Sequence, residues 1–272
     1  MKERKELIKY FAIAIGFTWL FWVPDGLAKR GLIEQNFWTS LGFLGSWGPL
    51  VATIYLVFRE QGLSGVKETL KKGLDYRFGK IWWLIVMLLL PVLIIITYFI
   101  SVLLEGVATP SLAEGMYQYL PMIYFIVMMT GGPLQEEFGW RGYALERLQK
   151  ICTPFASTLI LGFIWAFWHF PQFLVPYEKT GMFYITPIWS FTLTIMATAF
   201  VYTWVYNHTK GNVMTALLMH TNMNFCFWVF PITYNRTGYL WFLAVITITA
   251  AVIVWIDRKN FFQKPSRLTK SN

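Results

Sequence analysis

Long apolar runs dominate the chain, and they restrict it to folds whose solvent is lipid rather than water. Eight such runs occur: Ile8–Val23, Phe37–Phe58, Ile81–Leu104, Tyr117–Gly139, Pro154–Phe170, Phe183–Tyr206, Val213–Phe230 and Tyr239–Ile256. A helix of about 20 apolar residues crosses a ~30 Å hydrocarbon core. Inside lipid an unclosed chain satisfies its own backbone groups only as a helix. The expected fold class is therefore all-α, a polytopic integral membrane helical bundle of about eight transmembrane helices. Only 14% of the 272 residues are charged, against ~25% in soluble domains. No low-complexity linker or repeat divides the sequence, so a single membrane domain over 1–272 is expected.

The net charge of +9 raises nucleic acid as a partner, but the placement of the basic residues opposes it. With the N-terminus inside, only Lys29, Arg30, Lys179 and Arg236 of the 23 Lys and Arg residues fall outside cytoplasmic segments. That bias predicts N-in, C-in topology, with the lipid bilayer as partner and no nucleic acid. The expected location is a multi-pass one in a prokaryotic plasma membrane. Gly26-Leu27-Ala28 offers a small-x-small cleavage site after a basic start and an apolar run, yet seven further spans make a retained first helix the expectation. Cys152 and Cys226 lie far apart without a CxxC partner, so neither a disulfide framework nor a cysteine metal site is expected.

In the loop Arg59–Lys80, Leu63, Val66, Leu70 and Leu74 recur at near-helical spacing, with Lys67, Lys71 and Lys72 on the other faces. This predicts an amphipathic helix over 61–78 lying on the cytoplasmic surface; a solvated basic loop is the alternative. The stretch Gly131–Lys150 is the chain's oddest, with Glu136, Glu137 and Arg141 inside an apolar setting. Gly131-Gly132 loosens the chain and Pro133 suits a new first turn, predicting a fourth span bent at the glycines. Thr153-Pro154 then caps the next helix.

Glu137 and Arg141 are four apart, so they can pair along one helical face. Glu136 points about 100° away, with only Trp140 one turn on, at a depth of roughly 16 Å. Either the helix lies at the surface and Glu136 is solvated, or this carboxylate faces a polar cavity. Two of the three histidines, His169 and His220, sit inside predicted spans, and Asn224 is one turn beyond His220. His208 is expected to be a solvated loop residue, and Asn222 points away from the His220 face. Straight helices place His220 roughly 12 Å deep and His169 roughly 24 Å deep, so tilt or a kink is expected to bring them level.

A carboxylate and a histidine can activate water as general bases. A second histidine with an amide can donate to a developing oxyanion. Glu136, His169 and His220 also match the ligand types of a catalytic zinc site, although no HExxH is present. Zn is thus a possible cofactor, although spacing alone does not select a metal. Buried Glu and His also suit a proton-coupled carrier, whose broken helices come in pairs across two halves of the chain.

These residues resemble the motifs of the CPBP family, the CAAX proteases and bacteriocin-processing enzymes also called ABI proteins. Glu136-Glu137-Phe138-Gly139-Trp140-Arg141 matches EExxxR. Trp165-Ala166-Phe167-Trp168-His169 matches FxxxH, with tryptophan in place of phenylalanine, a change expected to alter packing only. His220-Thr221-Asn222-Met223-Asn224 matches the third motif, and Gly45–Ala52 resembles a second-helix pattern. The motif core spans about 117–230. The resemblance implies an intramembrane endopeptidase acting on a membrane-bound or lipidated peptide or protein. Glu136 and His169 would activate water, His220 and Asn224 would stabilise the oxyanion, and Glu137 and Arg141 would hold the site in shape. A non-catalytic bacteriocin-immunity scaffold on the same fold is the alternative within the family.

Overall fold

The computed structural model describes residues 2–106, 116–174, 186–230, 232 and 236–264. Lys179, the start of the sixth span at Phe183, and Arg267 and Lys270 of the tail lie outside them. The described residues are helical with no strand. In order they form α1 (Lys2–Lys29), a 3-10 segment (Thr39–Trp47), α2 (Gly48–Lys71), α3 (Lys80–Glu105), α4 (Leu120–Thr130), α5 (Pro133–Gly139), a π-helical segment (Trp140–Leu145), α6 (Glu146–Gln149), α7 (Pro154–Trp168), α8 (Ile188–His208), α9 (Val213–Val229), α10 (Arg236–Ile256) and α11 (Arg258–Phe261). The protein is a polytopic helical membrane bundle.

Among the described residues five helices are long and apolar enough to cross a membrane: Lys2–Lys29, Thr39–Leu74, Lys80–Glu105, Ile188–His208 and Arg236–Ile256. The other three expected spans fall short of that. Tyr117–Gly139 divides into α4 and α5, α7 has 15 residues, and α9 has 17. At 1.5 Å per residue α7 and α9 extend only about 22–26 Å, less than the ~30 Å core. Glu136 and Glu137 lie on α5 and His220 and Asn224 on α9, while Arg141 sits in the π-helical segment and His169 closes α7. Two of these helix starts are capped by side chains: Thr153 Oγ1, as the sequence predicts, accepts from the Ala156 N–H, and Asn212 Oδ1 accepts from the Thr215 N–H.

The segment expected at 61–78 is helical only as far as Leu74. It is set off from the rest of α2 by Gly62, at φ 66° and ψ −163°. Leu63, Leu70 and Leu74 are exposed. His208 is exposed but closes α8, with Nε2 3.6 Å from Asp257 Oδ2.

The helix carrying the EExxxR motif is held by aromatic and close backbone contacts. Tyr10 of α1 stacks on Tyr143 at 4.9 Å and meets Trp140 edge-on at 5.9 Å. At its far end Arg147 pairs with Glu60 at 2.8 Å. Burial there is outweighed by Lys72 and Lys150, which hold the Glu146 carboxyl below the usual carboxylate range. Where α5 crosses α2 the backbones nearly touch: a Cβ on Gly139 would lie 2.8 Å from the Pro49 carbonyl oxygen and against the Tyr10 hydroxyl. Neither neighbour can give way easily, because Pro49 is backbone and Tyr10 is fully buried. Gly139→Ala is therefore expected to destabilise the protein by about 1–3 kcal/mol through overpacking, measured as unfolding in detergent. An unchanged unfolding curve would contradict this close approach.

Candidate active site

The site begins at the break between α4 and α5. Gly132 adopts φ 110°, a conformation that side chains with a Cβ rarely take. Gln135 splints the break by accepting from the Gly132 N–H (3.1 Å) and donating to the Met129 carbonyl (3.1 Å). Sequence reasoning missed Gln135, although a glutamine three residues after a helix cap is the recognised spacing for such a brace. The bare Cα of Gly132 also makes room for chemistry. A Cβ there would lie 2.7 Å from Glu136 Oε1 and 3.5 Å from His220 Nε2. The carboxylate of one helix and the imidazole of another thus converge beside this glycine.

Glu137 and Arg141 form the expected pair, fully buried, with Arg141 Nη1 2.9 Å from both carboxylate oxygens. The Arg141 guanidinium is sandwiched between the rings of Trp165 and Tyr202, each 4.4 Å away. Glu137 has a further partner: His220 Nδ1 lies 2.8 Å from its Oε1. An ionised carboxylate can only accept, so Nδ1 of His220 carries a proton and Nε2 is the atom turned to Glu136. Nε2 donates a hydrogen bond only when the ring is doubly protonated.

Glu136 is not solvated at the surface; it is 4% exposed. Its Oε2 accepts from the Trp165 indole N–H at 2.6 Å and from that of Trp140 at 3.3 Å. The Trp-for-Phe departure therefore adds a hydrogen-bond donor as well as changing packing. His169 ends α7, and its Nδ1 lies 2.9 Å from the Trp165 carbonyl oxygen. A carbonyl can only accept, so the proton sits on Nδ1 and the neutral ring carries its lone pair on Nε2.

Trp165 thus links the two groups: its side chain bonds Glu136, and its main-chain carbonyl holds His169 one turn further along α7.

Glu136, His169, His220 and Asn224 all line one cavity of about 330 Å³. Asn224 Nδ2 donates to the Gly131 carbonyl at 2.7 Å, which commits one of its two N–H bonds. Asn222 points elsewhere, as expected: it donates to the Val86 carbonyl and accepts from the Tyr124 hydroxyl, tying α9 to α3 and α4. Among the described residues no three His, Cys, Asp or Glu side chains come together as a metal-ligand set. Glu136 and His220 converge beside Gly132.

A helical membrane bundle with a carboxylate, two imidazoles and an amide around one cavity belongs to the class of membrane-embedded enzymes. Residues 118–226 match the family model of the type II CAAX prenyl endopeptidase Rce1-like proteins. Over 267 residues the chain is 22% identical to the CAAX prenyl protease 2 of Methanococcus maripaludis, covering 94% of this chain and 95% of that protein. These similarities support a CAAX-protease-like integral membrane protease over the carrier that buried Glu and His also allow.

Proposed function

We propose that the protein hydrolyses a peptide bond near the C-terminus of a lipidated, membrane-bound protein or peptide. The convergence of Glu136, His169, His220 and Asn224 on one cavity carries this reading. The rest of the wall includes Phe191, Ile195, Met223, Phe227 and Phe242, a surface suited to an apolar chain beside a peptide. The names of the relatives point to a prenyl group as that chain.

In this scheme a water between Glu136 and His169 gives up a proton to Glu136 Oε1, with His169 Nε2 accepting a hydrogen bond from it. The hydroxide adds to the scissile carbonyl, whose π electrons move to oxygen. That oxyanion accepts from Nε2–H of a doubly protonated His220, whose ring Glu137 orients through Nδ1, and from the second N–H of Asn224. Collapse expels the amine, which takes the proton from Glu136. Enclosure strengthens each of these charge interactions relative to water.

The test uses purified protein and a prenylated peptide beside its unprenylated counterpart. Cleavage of the prenylated peptide alone is expected, with His169→Ala reducing kcat about 10²–10⁴-fold. Wild-type turnover in His169→Ala would remove it from the mechanism. Equal cleavage of both peptides would refute lipid recognition.

A further inference from the structure

Four interactions meet at Trp165. Its main-chain carbonyl sets the His169 proton, and its ring faces the Arg141 guanidinium. Its edge-on neighbour is His220, with centroids 5.6 Å apart. Its indole N–H donates to Glu136 Oε2. At 1% exposure the ring has no room to turn, so the position of its N–H is fixed by the surrounding packing.

Other indoles are used differently. Trp19 donates to the Trp168 carbonyl and Trp168 to the Thr18 hydroxyl, both neutral acceptors that staple α1 to α7. Trp165 and Trp140 instead place two donors on one oxygen of a buried carboxylate. A carboxylate turns easily about its terminal bond, because that torsion is broad and two-fold. Two charge-assisted hydrogen bonds on Oε2 stop that rotation and leave Oε1 turned toward Gly132, His220 and the cavity.

We propose that Trp165 is a positioning residue: its indole N–H, shared with Trp140, locks Glu136 so that a single oxygen is presented to the water. The phenylalanine of the related motif cannot supply this bond. The inference rests on the assignment of Glu136 as the base, and deepens it.

Two substitutions separate the bond from the packing. Trp165→Phe removes the N–H and part of the ring. Benzothienylalanine at 165, introduced by codon suppression, keeps the bicyclic shape and replaces only the N–H with sulfur. Steady-state kinetics on the prenylated peptide should show both variants losing kcat about tenfold to a hundredfold, the scale of one hydrogen bond to a charged group. KM should stay within about twofold, because the bond acts on the base and not on substrate binding. A benzothienylalanine protein with wild-type kcat would overturn the proposal, whatever Trp165→Phe does. Glu136→Gln run in parallel keeps the two claims apart. Full activity there defeats the base assignment itself, whereas an inactive Gln variant beside a fully active isostere defeats only the role of Trp165.

Discussion

Glu136→Gln abolishes cleavage, lowering kcat by about 10³-fold or more, while the protein still inserts and folds. The substitution keeps the shape of the side chain and a carbonyl oxygen that can accept from Trp140 and Trp165. It removes the basic oxygen facing Gly132 and His220. The fold should tolerate the change well, since an amide is easier to bury than a carboxylate without a cation of its own. Turnover of the prenylated peptide and thermal unfolding in detergent together decide it. An active Gln variant would sink the proposed chemistry, and an unfolded one would mean that Glu136 is needed for structure.

Arg141→Met should be the most destabilising change in the site, costing about 3–5 kcal/mol. Both members of the Glu137–Arg141 pair are completely buried, so removing the cation strands a carboxylate away from water. The sandwich with Trp165 and Tyr202 is lost at the same time. Adding Glu137→Gln should restore much of that stability, because no uncompensated charge remains. It should not restore activity, because His220 Nδ1 would then face a neutral amide and lose the carboxylate that orients its ring. Unfolding and kcat measured on the single and double variants test both halves. Wild-type stability in Arg141→Met, or full activity in the double variant, would show that this network does not position the site.

Much of this was legible in the chain. The apolar runs define a membrane bundle because lipid leaves the backbone no other way to satisfy itself. Gly131-Gly132-Pro133 marks the break, and Thr153 and Asn212 mark two helix starts, because caps and breaks depend on neighbouring residues. The Glu137–Arg141 pair follows from i,i+4 spacing alone. The match to three motifs pointed to the family and nominated the site residues together.

What the sequence left open is what crosses between helices. Apolar composition places α7 and α9 but leaves their last residues open by one or two positions. Residue counting along α7 also cannot show that the Trp165 side chain reaches Glu136 from one turn before His169. Similarly, Glu136 looked unpartnered because only a basic residue one turn away was considered; Trp140 at that place donates, and Trp165 from a separate helix donates more closely. Backbone periodicity determined, by itself, which residues share a helix and a face. Only the tertiary structure decided how the helices rotate against one another, and hence which oxygen of Glu136 is held, which nitrogen of each histidine carries the proton, and which faces the cavity. Those choices are made by packing across α5, α7 and α9, and no local spacing encodes them.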